Sequence, residues 1–429
     1  MLSIWPLYKY IVFVPVVRSQ TSLDPQCIPP PKVLRWDLPL LSSEVVINYS
    51  TDAAVARRRG TPPVFVWPAD AGAMHRRVFE AFVWLVIGTL FTYRLSVRKK
   101  APGGRRLLTC LPAMLACTFL PIWSWNGWET LTSKLLVLTI WGWWSNFKLL
   151  AFSCGRGPLD PRKGAAAFVA TLWLPVNVED AETTSGNSTR KRRISELKKP
   201  ISANELWKNG AVKVVSLYTL LYLVEHGYLS GHVTLVAYVL MLYAFLGAVL
   251  DIVALAAVYV GGLEVLPHFN QPYLSYSLAD FWGRRWNMMT ANLLKAVVYS
   301  PIVEGSFVRT LPLKRNGSPA RMAMAVCATF VVSGIMHEIV YVSAAGHTDF
   351  EWFLFFTAQG PLLLLEKAMQ SSAKNGRTEW NKWFQTLVAQ CILLSLGIKL
   401  FVRPAVRDGL VEQVQQDIMS GLHIRGAGS

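Results

Sequence analysis

Charge is scarce in this chain. Only 16% of its 429 residues are Asp, Glu, Lys or Arg, where a soluble domain carries about 25%. The deficit excludes an ordinary water-soluble domain. Acidic residues are scarcer still, 26 against 43 basic ones. Cysteines number six (Cys27, Cys110, Cys117, Cys154, Cys327 and Cys391). They form no CxxC pair and mostly sit in apolar segments, so neither a disulfide framework nor a cysteine metal site is expected. A P-loop and a GxGxxG are also missing, which removes the usual nucleotide-binding readings.

What is present is apolar. Hydrophobic residues make up 52% of the chain and the mean hydropathy is +0.33. The 17 tryptophans and 14 tyrosines suit interfacial belts at both faces of a bilayer. A helix needs about 20 apolar residues to cross the hydrocarbon core. Segments 79–96, 107–123, 131–152, 211–229, 232–259, 321–342, 351–369 and 384–402 meet that need. The expected fold is therefore an all-α polytopic membrane protein with about eight transmembrane helices. Residues 288–308 are mixed and suit an interfacial or re-entrant helix.

The net charge of +17 does not imply nucleic acid. The basic residues concentrate in short links at 94–106, 190–199, 309–321 and 374–382. The links at 124–130, 225–231 and 346–351 hold acids without Lys or Arg. The positive-inside rule places the first set in the cytosol and the second on the far side. Residues 76–405 read as the integral domain. Within it, 165–205 reads as a cytosolic loop around the polar stretch 179–193, which leaves the Asn187 sequon unused. Residues 1–75 form an atypical N-terminal region without a clear signal peptide, and 406–429 read as a C-terminal tail.

One apolar segment contains a histidine and a glutamate, Ser333-Gly-Ile-Met-His-Glu338. Its helix starts in the cytosol, which puts His337 about 20–25 Å along it, inside the bilayer. Ionisable groups there are costly and mark sites of polar chemistry. Uncharged imidazole, the form that low-dielectric surroundings favour, can accept a proton. Glu338 shares the turn, but adjacent helical positions point about 100° apart. Ser333 and Gly334 are small and leave room for a ligand or a close helix crossing. The competing reading is a packed structural histidine. A zinc-protease HExxH is excluded because Tyr341 stands where the second His is required. No HxxxD follows, and no metal is called for. His268, His347 and His423 read as isolated loop residues, and His226 beside Glu225 as an interfacial pair.

The second unusual run is Asp280-Phe-Trp-Gly-Arg-Arg-Trp-Asn287. It can be an interfacial segment with its tryptophans at headgroup depth. It can also be a cytosolic segment that meets a large anionic, partly greasy substrate. Arg284 and Arg285 suit phosphate, Phe281, Trp282 and Trp286 suit an acyl chain or a flat ring, and the Asn287 amide can donate to an oxyanion. Acyl-CoA fits that combination.

These residues carry a family resemblance. Pro267 through Asn287, followed by Phe330-Val-Val-Ser-Gly-Ile-Met-His-Glu338, resembles the plant wax synthases of the membrane-bound O-acyltransferase superfamily. Asn146 through Leu159 resembles an upstream segment of the same family, and the likeness extends over roughly 79–370. It implies a helical bundle enclosing a reaction chamber, in a multi-pass enzyme of the endoplasmic reticulum. That enzyme transfers a fatty acyl group from acyl-CoA, a co-substrate and not a cofactor, to a long-chain alcohol. Sterols or other lipid alcohols are alternative acceptors, and a transporter with a proton-coupled His-Glu pair is the rival class. The resemblance also implies catalysis by His337 and puts Trp286 and Asn287 at the reaction centre and acyl-CoA site. Beside it, the run Asp280–Trp286 reads as the acyl-CoA region, Asn287 as catalytic with His337, and Glu338 and Ser333 as candidates for support. The expected partners are acyl-CoA, a lipid alcohol and membrane lipids, with no nucleic acid.

Overall fold

The computed structural model describes residues 83, 86–94, 101–124, 131–178, 200–309, 317–375 and 381–422. They belong to a unit spanning Asp70–Ser429. The readings made for residues 1–75, for His423 and for 79–82, 84–85 and 95–96 lie outside them, while residues 86–94 are helical. Among the described residues there is no strand, only an isolated bridge between Asn177 and Leu266. The all-α expectation holds.

The helices are α1 (Gly104–Ser124), α2 (Leu131–Ser153), α3 (Ala165–Trp173), α4 (Ala203–Glu225) and α5 (His232–Gly261). Next come α6 (Leu278–Arg284) and α7, which starts at Met288–Leu294 and continues through Lys295–Tyr299 into Ser300–Glu304. The last are α8 (Pro319–Ala345), α9 (Glu351–Asn375), α10 (Lys382–Arg407) and α11 (Leu410–Leu422).

By length and composition, α2, α5, α8 and α10 can cross a membrane. That is four helices among the described residues, where eight spans were expected. Helices α1, α4 and α9 do occupy three more of the expected segments. However, α4 carries Glu205, Lys208 and Lys213, and α9 carries Glu351, Glu366 and Lys367. Segment 288–308 is helical through Glu304. Met289, Leu293, Leu294, Ala296 and Val297 of α7 are buried, so α7 packs into the bundle. Part of the expected loop 165–205 is helix α3, with Phe168, Leu172 and Trp173 buried. Its polar middle, 179–199, lies outside the described residues.

Local chemistry sets the helix ends. Ser202 and Glu205 form a reciprocal capping box at the start of α4. Ser318 accepts from the Arg321 N–H at the start of α8, where Pro319 occupies the first position, and Gly346 ends that helix at φ +78°. Helix α5 is apolar on every face, as a helix enclosed by protein and lipid should be. Its single carboxylate, Asp251, pairs with Lys213 of α4.

Helices α8 and α9 cross closely because small residues meet at the contact. A Cβ at Gly334 would lie 2.9 Å from the Phe353 carbonyl oxygen, and one at Gly360 would lie 3.1 Å from Cys327 Cα. Of the two readings of Gly334, helix packing is the one realised. This crossing sets the aromatic residues of α9 beside the histidine of α8.

Candidate active site

A cavity of about 1040 Å³ lies inside the bundle. It is lined by α2, α5, α6, α7, α8, α9 and α10, with one residue from α11. The π-helical stretches Leu138–Ser145, Lys295–Tyr299 and Ile398–Val402 all contribute side chains to its wall. Such stretches shift the helical register and often occur at functional sites.

His337 faces this cavity. Its ring stacks on Phe356, with centroids 3.7 Å apart at 21°, and meets the edge of Trp143 at 5.0 Å. Its Nδ1 lies 2.8 Å from the Ser333 carbonyl oxygen. A carbonyl can only accept, so Nδ1 carries the proton of the neutral ring and donates it there. The lone pair is then on Nε2. Ser333 lines the cavity and supports His337 through its backbone.

Glu338 points elsewhere, as the 100° offset between neighbours requires. It is buried at 7% exposure. Its carboxylate accepts from the Thr348 hydroxyl and from the N–H groups of Phe350 (3.3 Å) and Phe353 (2.9 Å). These donors cluster at the N-terminus of α9, where a carboxylate also meets the helix dipole favourably. Glu338 therefore fixes α9, which carries Phe356, and its support for His337 is indirect. Glu338→Gln should lower the stability of the folded protein by about 1.5–3 kcal/mol, the worth of charged hydrogen bonds. Thermal unfolding in detergent reads this out, and an unchanged midpoint would remove the anchoring role.

Asn287 also lines the cavity. It adopts the left-handed conformation (φ +37°, ψ 63°), and its Oδ1 accepts from the Thr290 N–H at 3.3 Å, capping α7. Asparagine tolerates this backbone better than most residues. With Oδ1 used by the cap, Nδ2 remains as a donor. The turn is held by the Met288 N–H on the His268 carbonyl (2.9 Å) and the Asn270 N–H on the Arg285 carbonyl (2.9 Å). His268 is thus not an isolated loop residue. It is fully buried, and its Nε2 meets the Pro175 carbonyl at 2.8 Å. Burial pushes its pKa down to about 3, so it stays neutral. His347 is not isolated either, since its Nε2 lies 3.2 Å from Asp408. The His226 ring lies 4.0 Å from that of Tyr222, and its Nδ1 lies 2.9 Å from the Tyr222 carbonyl oxygen.

The run 280–287 divides in two. Phe281, Trp282, Trp286 and Asn287 line the cavity. Trp286 stacks on Phe281 at 5.3 Å, and the Trp282 indole N–H donates to Gln359 at 3.1 Å. The charged members face away from it. Asp280, buried at 3% exposure, holds Arg284 Nε at 2.8 Å and Arg285 Nε at 2.6 Å. Arg285 also reaches the Asn270 carbonyl at 3.2 Å. Both arginines join this local network outside the cavity wall, and Arg284 remains largely exposed. Among the described lining residues, the only Lys or Arg is Lys295, which is exposed, and no carboxylate lines the space.

The upstream segment 146–159 is structural in its contacts. The Lys148 ammonium is buried and donates to the Thr171 and Leu174 carbonyls at 2.8 Å each, and Arg156 pairs with Glu304 through two hydrogen bonds of 3.0 and 2.7 Å.

The family profile described as "Membrane bound O-acyl transferase family" matches residues 265–358, which contain both Asn287 and His337. The probable long-chain-alcohol O-fatty-acyltransferase 1 of Arabidopsis thaliana is 30% identical over 346 residues, covering 79% of this chain and 93% of its own length. The chain belongs to the wax synthase family of membrane-bound O-acyltransferases. The long-chain-alcohol O-fatty-acyltransferase of Simmondsia chinensis is 29% identical over 344 residues, covering 76% of this chain and 90% of that one. The acyl-CoA–sterol O-acyltransferase 1 of Arabidopsis thaliana is 28% identical over 338 residues, with 77% and 91% covered. As a member of the wax synthase family, the protein is an acyltransferase embedded in a membrane. The apolar helices α2, α5, α8 and α10 agree with that setting.

Several residues of the site escaped the sequence reading. Trp143, Phe356 and Phe401 surround His337 but look like ordinary apolar residues in their own segments. Glu366 caps α6 through the N–H groups of Leu278 (2.8 Å) and Ala279 (3.2 Å). Gln359, fully buried, orients Trp282. An amide inside an apolar helix is a signal of the same kind as His337 and could have been followed.

Proposed function

We propose that this protein esterifies a long-chain fatty alcohol with the fatty acyl group of acyl-CoA, in the endoplasmic reticulum membrane. The observation that carries the proposal is an apolar cavity into which His337 and Asn287 both project. The names of the relatives supply the chemical class. His337 Nε2 takes the hydroxyl proton as the alcohol oxygen attacks the thioester carbon. The tetrahedral intermediate places negative charge on the former carbonyl oxygen, where the Asn287 Nδ2–H group can donate to it. Collapse breaks the carbon–sulfur bond, and the proton on Nε2 passes to the leaving thiolate, releasing CoA. The Nδ1–H bond to Ser333 keeps the base in the right tautomer throughout. Lys295 offers the CoA phosphates a counter-charge at the exposed edge of the cavity. The chemistry requires no metal.

The sterol-acylating relative gives a second acceptor some weight. The deciding experiment uses microsomes from a host that makes no such esters, supplied with labelled acyl-CoA and either fatty alcohols or sterols. Labelled wax ester is the expected product. Steryl ester in its place would move the acceptor to sterols, and vesicle uptake of substrate with no ester at all would favour the transporter class.

A further inference from the structure

The cavity continues well past the histidine. From Trp143, whose ring touches His337, the lining of α2 continues back to Thr132, about 16 Å of helix at 1.5 Å per residue. The lining of α5 likewise reaches Val236, near that helix's start at His232. Thr132 and Val236 lie near the helix ends that the loop charges assign to the far side of the membrane. The lobe between them is walled by aliphatic side chains, among them Leu135, Leu136 and Leu240.

At this end stands α11, in the region read from sequence as a tail. It contributes one residue, Val414, to the lining. The helix is held on several sides. Asp417 Oδ2 accepts the Thr132 N–H at 2.8 Å. Ile418 and Met419 pack against Leu217, Leu221, Met241 and Ala244 of α4 and α5. Val411 packs beside Tyr341 and Trp352. Apolar residues at 410, 411, 414 and 418 follow helical spacing, so the face turned inward is continuous.

We infer that α11 is the end wall of an alkyl-chain lobe and that Val414 sets the longest chain the enzyme accepts. The inference rests on the proposed acyl transfer, because the reaction at His337 fixes one end of the chain and the wall limits the other. The lobe recognises a saturated alkyl tail, which either the acyl donor or the acceptor alcohol can supply.

Val414→Trp and Val414→Ala in detergent-solubilised full-length protein test it. One series varies the acyl-CoA chain with a fixed short alcohol, and the other varies the alcohol with a fixed short acyl-CoA. The readout is the ratio of kcat/KM for long over short chains. Val414→Trp should lower this ratio about tenfold or more for each methylene that no longer fits, and Val414→Ala should raise it. The series that shifts identifies the chain in the lobe. Unchanged ratios in both series would overturn the inference while leaving acyl transfer intact. If the wild-type protein makes no ester, the proposed function falls, and thermal stabilisation by a series of fatty alcohols still reads the lobe. A length optimum that Val414→Trp shortens would sustain the end wall, and an optimum indifferent to both variants, or none, would overturn it.

Discussion

Replacing His337 by alanine should reduce ester synthesis by about 10²–10⁴-fold, the contribution of a positioned general base. The variant should still accumulate in the membrane. The imidazole lies between the Phe356 face and the Trp143 edge, so its removal enlarges a cavity that is already open. The helix loses only the side-chain bond to the Ser333 carbonyl. His337→Gln adds a stricter control, because it offers an amide donor to the same carbonyl without a basic nitrogen. Both variants should bind acyl-CoA and fail in the chemical step, so kcat should fall while KM changes little. Microsomal assays at matched protein levels check this. Ester formation at the wild-type rate in His337→Gln would falsify the base assignment.

The second large effect is expected at Asn287. Asn287→Asp keeps an oxygen for the α7 cap and loses the Nδ2–H donor. Loss of one oxyanion donor lowers kcat by about 10²–10³-fold, and the new carboxylate would further oppose negative charge. Asn287→Gly separates the backbone from the side chain. Glycine adopts φ +37° without strain, so its fold should persist although both the cap and the donor are gone. If Asn287→Gly is inactive while Asn287→Asp retains full activity, Asn287 serves only as a cap. If both lose kcat while their unfolding midpoints stay near wild type, the donor role stands.

Parts of this site were legible in the chain itself. A histidine within an apolar helix is conspicuous because hydrocarbon penalises polar groups, and that penalty depends only on neighbours in sequence. The aromatic residues and the amide of 281–287 could be read in the same way, and they do line the cavity. The contacts of the arginines could not. Arg284 and Arg285 read as phosphate ligands; the turn of chain brings both to Asp280 and Arg285 to the Asn270 carbonyl, and leaves Arg284 largely exposed. The reach of a side chain depends on the path of the backbone, which composition does not encode. His268 was misread for a related reason. It lies in a loop by sequence, yet it is fully buried with its Nε2 against the Pro175 carbonyl, 93 residues upstream.

By itself the sequence determined the membrane class, the helical architecture, the family and the position of His337 along its helix. Each of these follows from local quantities, namely the apolar content of a window, the rise per residue, the charge of a link and the order of motif residues. Only the tertiary structure decided what surrounds the histidine, where Glu338 points and what the C-terminal helix does. Trp143 of α2 and Phe356 of α9 reach His337 from distant segments. Glu338 binds the N-terminus of α9 because adjacent helical positions diverge and the α8–α9 crossing brings unpaired N–H groups within its reach. Those contacts join residues far apart in the chain, and they form only when the bundle closes around the cavity.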